Sequence, residues 1–431
     1  MKQCSRLFCF YTLLVTQTLS LIGSRMTAVA LGIWIYRQTG LTSPLLLIVF
    51  FREAPGMVAG ALAGVWVDRW DRRLTMALSD AGQALGSLLL LVGFRAGATV
   101  LWHLYAVAFL QGTFAVFQGP ALYATVSELI PDRQRDRANG LLELPFPLAS
   151  ILAPALAGML YSATGIGTII ALDLGTFVLA SLVAASLPIP RLPSARNGQP
   201  GHPGWVDELR EGFAYFRQRP VILQFVLYQG WMWFALNGPL ELALPYAIAI
   251  TGDEQQAGWV MSLMSLGALL GSLLVVTVGA LRPRTKVIAL GMLFTGVMFI
   301  FYGLARTTMS LGLSLFLLMV PLPVSNALFR SIVQTKTPPR LQGRAFAALE
   351  QFFLVGSTAS FLLTGPLVDR VLNPVSTGTW ARHWLMAGSQ AGISLLLLMT
   401  GGLILSSTAI VFGQQPIRNL ETILPDCDVF T

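Results

Sequence analysis

Gly64-Val65-Trp66-Val67-Asp68-Arg69-Trp70-Asp71-Arg72-Arg73 sets five charges between two long apolar segments, and that contrast decides the fold. An α-helix needs ~20 apolar residues to cross ~30 Å of hydrocarbon, where every backbone polar group must be satisfied within the segment itself. The stretches 43–67 and 73–95 on either side of the loop both reach that length. Working outward with Gly, Pro and charge as punctuation adds 8–36, 100–125, 138–162, 166–187, 221–250, 256–280, 286–304, 309–332, 344–370 and 384–412. The sequence therefore predicts an all-α membrane protein with twelve transmembrane helices.

Composition leads to the same class. Hydrophobic residues make up 55% of the chain and charged residues 11%, with a mean hydropathy of +0.68. An average soluble domain is roughly 25% charged. The formal charge of +8 is dispersed through short loops, a pattern that a lipid bilayer explains and a nucleic-acid-binding patch does not. Cys4, Cys9 and Cys427 lie at the chain ends without metal or disulfide spacing. Lys2 and Arg6 precede an apolar run that continues to Tyr36 with no small-residue cleavage site, so the first helix is expected to be retained. No Gly-x-x-x-x-Gly-Lys-Ser/Thr loop and no Ser/His/Asp or paired-cysteine arrangement occurs, so neither ATP-driven work nor enzymatic catalysis is expected, nor any cofactor or metal.

With a cytoplasmic N-terminus, twenty of the 28 Lys and Arg residues fall on the cytoplasmic side, and only Arg37, Arg95, Arg306, Arg370 and Arg382 on the other. That bias predicts both termini in the cytoplasm. The chain divides into a six-helix bundle over 1–187, a polar linker over 188–220, a second six-helix bundle over 221–413 and a tail over 414–431. In the linker, Trp205, Leu209, Phe213 and Phe216 share a helical face suited to the membrane surface. The halves also echo each other: Pro131-x-Arg133-x-x-x-Arg137-Ala138 returns as Pro338-x-Arg340-x-x-x-Arg344-Ala345, with Glu143 matching Glu350 and Gly158 matching Gly365. Parallel repeats of this kind enclose a central cavity.

Gly64, Asp68, Arg69, Arg72 and Arg73 have the spacing Gly-x-x-x-Asp-Arg-x-x-Arg-Arg, which resembles the signature loop of the major facilitator superfamily, with Asp71 where that pattern has glycine. Gln17 to Thr27, Ala30 to Trp34, Ser79-Asp80, Phe117 to Ala121 and Arg137 to Leu141 extend the resemblance to its macrolide-efflux and enterobactin-exporter branch. Ala153-Pro154-Ala155-Leu156-Ala157-Gly158 resembles the Gly-Pro-x-x-Gly-Gly motif of its drug antiporters, with Ala153 and Ala157 replacing glycines. In the second half, Gly279 to Lys286 keeps basic charge but lacks the aspartate. The resemblance implies a monomeric secondary exporter of amphipathic small molecules, such as a macrolide-like drug or a siderophore, exchanging them for protons by alternating access. It assigns Asp68 to closing the cytoplasmic side against a facing helix N-terminus, with Arg69, Arg72 and Arg73 around it, and Pro154 and Gly158 to a bend where the bundles meet. A lipid or lysophospholipid flippase of the same fold is the alternative, favoured by a lateral apolar opening.

Ionisable groups inside hydrocarbon are costly, which marks Arg25, Arg52, Glu53, Asp80, Asp173, Glu241 and Arg330 as candidates. Glu53 is nearest the midplane by residue count, with Arg25 and Arg52 as partners, and serves either proton or substrate coupling or a structural ion pair. Asp173 and Glu241 fall in the outer thirds. Asp80 and Arg330 sit near the cytoplasmic helix ends, where snorkelling or loop locking is expected of them. Glu143 and Glu350 are expected to pair with loop arginines. Trp34, Trp231, Trp233 and Phe234 fit interfacial anchoring or a cavity lining. Gly82 with Gly86 and Gly267 with Gly271 have the four-residue spacing of close helix packing, as do Gly56, Gly60 and Gly64.

Overall fold

A computed structural model describes residues 3–130, 135–187, 205–278, 282–376 and 391–423. Among them the regular elements are all helical. Helices α1 (Gln3–Thr39), α2 (Ser43–Arg69), α3 (Arg72–Arg95) and α4 (Leu101–Leu129) are followed by the short α5 (Arg135–Leu142), then α6 (Pro145–Thr164) and α7 (Ile166–Ser186). Helix α8 (Trp205–Arg217) lies within the expected linker. The later spans are α9 (Pro220–Glu241) continued by α10 (Ala243–Thr251), α11 (Glu254–Val278), α12 (Arg284–Leu304) and α13 (Thr308–Met319) continued by α14 (Pro321–Lys336). The last two are α15 (Pro339–Pro366), extended by a π-helical turn (Leu367–Leu372) and α16 (Asn373–Val375), and α17 (Ala391–Gly413).

Eleven helical stretches of described residues are long and apolar enough to cross a membrane. The remaining long helix, α4, carries Gln111 and Gln118 in its middle. With it the chain has the twelve-span architecture expected from the sequence. Prolines explain where spans break. Pro239 precedes the α9–α10 junction and Pro321 opens α14, since proline supplies no N–H to the preceding turn. At Pro366 the same defect coincides with widening into the π-helical turn.

The chain forms two compact units, one of residues 1–39 and 47–202, the other of 40–46 and 203–431. In the first, α1, α3, α4 and α7 pack closely, and α6 lies along α1. Helix α3 shows how the bilayer shapes the sequence. Thr75, Ser79, Asp80, Gln83 and Ser87 are buried on one face, while Leu74, Leu78, Leu85, Leu88 and Val92 are exposed on the other. Polar groups turn inward to find partners and apolar ones outward, as expected when the surrounding medium is hydrocarbon.

In the second unit, α12 packs along α17. The buried Tyr246 hydroxyl is 2.9 Å from the Ser394 hydroxyl and donates towards the carbonyls of Gly303 and Ala305, tying α10 to both. Asp369, on the π-helical turn, accepts from the backbone N–H of Thr42 at 3.1 Å and of Ser43 at 2.7 Å, and from both hydroxyls at 3.0 and 2.6 Å. That carboxylate caps the start of α2, whose first turn belongs to this unit.

Candidate functional site

Three helices of the first unit meet at Asp80, which has no exposed surface. Its Oδ2 accepts from Gln17 Nε2 of α1 at 2.8 Å, and its Oδ1 from Gln118 Nε2 of α4 at 2.6 Å. Gln118 Nε2 also donates to Gln17 Oε1 at 2.6 Å, closing a triangle. Gln83, one turn along α3 from Asp80, donates to Gln118 Oε1 at 2.7 Å. Farther along the same face, Gln111 Nε2 of α4 donates to the Gln83 carbonyl at 3.2 Å and to Ser87 Oγ at 3.1 Å. Ser87 in turn donates to Oδ2 of Asp173 on α7 at 2.7 Å. Two buried carboxylates thus stand on one run of hydrogen bonds that passes through the Gln83 backbone carbonyl.

Asp173 is 1% exposed. The Ser24 hydroxyl of α1 is 3.3 Å from its Oδ1, and the Arg52 guanidinium of α2 acts on it electrostatically. Glycine makes this meeting possible. A Cβ at Gly23 would stand 2.7 Å from Thr176 Oγ1 and 3.2 Å from Asp173 Oδ1, so only glycine lets α1 approach α7 this closely. A charged carboxylate in such surroundings is favoured only while partners compensate it, which makes its protonation sensitive to small helix movements.

The family description "Major Facilitator Superfamily" matches residues 13–360. The chain belongs to the major facilitator superfamily. It is therefore a multi-pass membrane transporter and not an enzyme. "Macrolide efflux protein A" of Streptococcus pyogenes is 27% identical over 397 residues, covering 90% of this chain and 94% of that one. "Multidrug efflux pump Tap" of Mycobacterium tuberculosis is 24% identical over 378 residues, covering 83% and 87%. Among solved structures, a bacterial homolog of the human lysosomal transporter Spinster, inward-facing and unoccupied, superposes with a TM-score of 0.72 at 14% identity over 95% of this chain and 96% of that one. The nucleoside transporter NupG gives 0.73 at 13% identity over 94% and 98%. At such identities these two structures speak to the fold alone.

In this superfamily chain, Gly64, Asp68 and Arg69 lie on the last turns of α2, and their side chains fall outside the described residues. Asp71, the departure from the signature pattern, caps α3, its Oδ1 accepting from the Arg73 backbone N–H at 3.0 Å. Glycine could not supply that acceptor. Arg72 and Arg73 form the first turn of α3, and the Arg73 Nε is buried without a hydrogen-bond partner. Trp66, Trp70 and Phe117 stack on one another with centroids 5.9 to 6.0 Å apart, joining the loop to α4. Pro154 and Gly158 are buried on α6, and their neighbours Ala153 and Ala157 cluster with Met26 and Ala30 of α1.

The proposed coupling residues separate. Arg25 places its guanidinium 4.2 Å from the centroid of the Phe146 ring. Glu53 is exposed, with no hydrogen bond or ion pair recorded among the described residues. Glu241 ends α9 and is also exposed. Of the four, Asp173 sits at the centre of a hydrogen-bonded cluster. Elsewhere Glu350 pairs with Arg330 of α14 at 2.7 Å, and Glu143 accepts from the Tyr123 hydroxyl at 3.3 Å.

Asp80 is the residue that sequence reasoning set aside. Its position near a helix end suggested snorkelling, whereas the structure buries it completely among amides. A signal was present in the spacing: Asp80, Gln83 and Ser87 recur at i, i+3 and i+7 on α3, and Gln111 and Gln118 at i and i+7 on α4, each a polar stripe on an otherwise apolar helix.

Proposed function

We propose that this protein exports amphipathic small molecules across the cell (inner) membrane in exchange for protons, as a monomer with both termini in the cytoplasm. Its two bundles, 1–187 and 221–413, alternate access to a central route, with the 188–220 linker on the cytoplasmic side. The observation that carries the reading is Asp173: a buried carboxylate where α1, α3 and α7 meet, held by Ser24 and Ser87 with Arg52 nearby. Movement of α1 against α7 changes that compensation, so the proton affinity of the group follows the state of the transporter. The relatives named for macrolide and multidrug efflux support cargo of the macrolide-like drug type within that class.

The test is uptake of a labelled macrolide into everted membrane vesicles. Accumulation should require an inwardly acidic gradient and disappear when a protonophore collapses it. Uptake indifferent to the gradient would overturn the proton-coupled reading.

A second reading, lipid export, has one observation in its favour. An open, wholly apolar groove of about 250 Å³ runs between α1 and the α5–α6 turn, lined by Leu14, Leu19, Leu141, Leu144 and Leu148 among others. It falls just below the ~300–1,000 Å³ of ordinary ligand pockets and has the chemistry of an acyl chain's surroundings. Competition of macrolide uptake by lysophospholipid would favour this reading.

A further inference from the structure

Asp80 lies outside the coupling scheme built on Asp173, yet it too is buried, with no exposed surface. Its partners are two primary amides and nothing charged. A structural core needs no carboxylate here, because an amide or a hydrophobic side chain would fill the space without the cost of an isolated charge. What distinguishes this cage is that it can serve both forms of the acid. In the arrangement observed, amide N–H groups of Gln17 and Gln118 face both oxygens, as an ionised carboxylate requires. If one oxygen binds a proton, the new O–H needs an acceptor, and half a turn of either amide presents Oε1 in place of Nε2 with nearly the same shape.

We propose that Asp80, enclosed by Gln17 and Gln118, is a second proton-binding station of the transporter, linked to Asp173 along the inner face of α3. The assignment rests on the proton-coupled reading above for its role in transport, but not for the binding itself. Binding forms one O–H bond on Asp80 from a proton delivered by water, and cancels one negative charge. The rotated Gln118 amide then offers Nε2 where Gln83 now donates, so the Gln83 side chain must re-orient with it, while the Gln83 backbone carbonyl keeps its bond from Gln111, which also donates to Ser87 beside Asp173. Seven residues of α3 separate Asp80 from Ser87, the donor to Asp173, about 10 Å at 1.5 Å per residue. At that distance in a medium of low dielectric, two negative charges repel appreciably, so a proton on one station favours charge on the other.

The titratable and charged groups around Asp80 are few. Helix α1 presents Cys9 and Arg25, each eight residues from Gln17, with Arg25 on the Phe146 ring. Helix α7 presents Asp173, on which Arg52 of α2 acts. Helix α4 presents Tyr123, which bonds to Glu143, and His103 near its far end. Arg72 and Arg73 lie two turns back on α3 itself.

Infrared difference spectroscopy of the full-length protein in lipid nanodiscs tests this directly, with the proton as probe. Stepping from alkaline to acidic buffer should raise two protonated-carboxyl bands that shift in heavy water. Asp80→Asn should lose one and Asp173→Asn the other. Gln118→Met, which keeps Asp80 but removes an amide, should shift the Asp80 band only, and it decides the matter if Asp80→Asn fails to reach the membrane. A difference spectrum unchanged by Asp80→Asn, or by Gln118→Met where that variant alone is available, would overturn the assignment. So would a band at fixed pH that disappears when sodium replaces choline, since the site would then hold a metal cation. If both bands behave as expected while vesicle export ignores the pH gradient, the binding station stands and the antiport reading falls.

Discussion

Asp173 and Glu53 offer the sharpest contrast between residues. Both lie in membrane-spanning helices, but one is clasped by two serine hydroxyls and the other is exposed. The proposed proton coupling requires a carboxylate whose surroundings change with helix movement, so on that proposal Asp173→Asn should abolish the response of macrolide transport to a pH gradient. The asparagine oxygen can still accept from Ser87, keeping the loss of stability within about 1 kcal/mol. Glu53→Gln should leave the response to the gradient intact. Transport assays at matched expression decide between them, and the opposite pattern would return coupling to Glu53. For Asp68, the partial positive charge of a helix N-terminus is the natural partner of a loop carboxylate. Asp68→Asn is expected to slow export several-fold without lowering membrane expression, and unaltered rates would remove it from the mechanism.

At the scale of elements, α2 and α4 touch backbone to backbone. A Cβ at Gly112 would stand 2.1 Å from the carbonyl oxygen of Arg52, inside van der Waals contact with an atom that cannot rotate away. Gly112→Ala must therefore push α2 from α4, disturbing Arg52 beside Asp173 and Gln111 beside Ser87, at a cost of about 1–3 kcal/mol. Gly60, with open space around it, makes the control. Thermal unfolding in detergent should show a lowered midpoint for Gly112→Ala and little change for Gly60→Ala; equal midpoints would mean that the helices adjust freely. The glycines foreseen as packing residues divide on the same criterion. A Cβ at Gly82 would meet the Phe114 ring at 2.3 Å and one at Gly271 the Val320 carbonyl at 2.1 Å, whereas periodicity alone made the Gly60 stripe look equivalent.

Across the whole molecule, the unequal distribution of arginine and lysine makes an orientation testable. Single cysteines placed between 188 and 220, in a chain whose Cys4, Cys9 and Cys427 have been replaced, should react with an impermeant maleimide only after the cytoplasmic face is opened. Labelling from the outside of intact cells would reverse the orientation or change the number of spans. The same experiment bears on α8, whose Phe216 is fully buried and whose Tyr215 hydroxyl donates to the Lys336 carbonyl at 2.6 Å. A segment held against α14 in this way should label at its polar residues and resist labelling at position 216.

The positions of the spans could be read from the sequence because crossing a membrane is a local requirement: some twenty consecutive apolar residues suffice, whatever lies elsewhere in the chain. The helical breaks at Pro239 and Pro321 are local in the same sense, as is the cap that Asp71 supplies two residues ahead of its partner. Hydrogen-bond partnership is not local. Gln17 and Asp80 are 63 residues apart, Asp80 and Gln118 are 38, and Ser87 and Asp173 are 86. Their polar stripes showed which faces turn inward, but the depth of Asp80, the exposure of Glu53 and the approach of two carboxylates to one face of α3 depend on how α1, α3, α4 and α7 rotate against one another. Tertiary packing alone decided that, because each buried polar group must find a partner on a neighbouring helix where no water is present to serve instead.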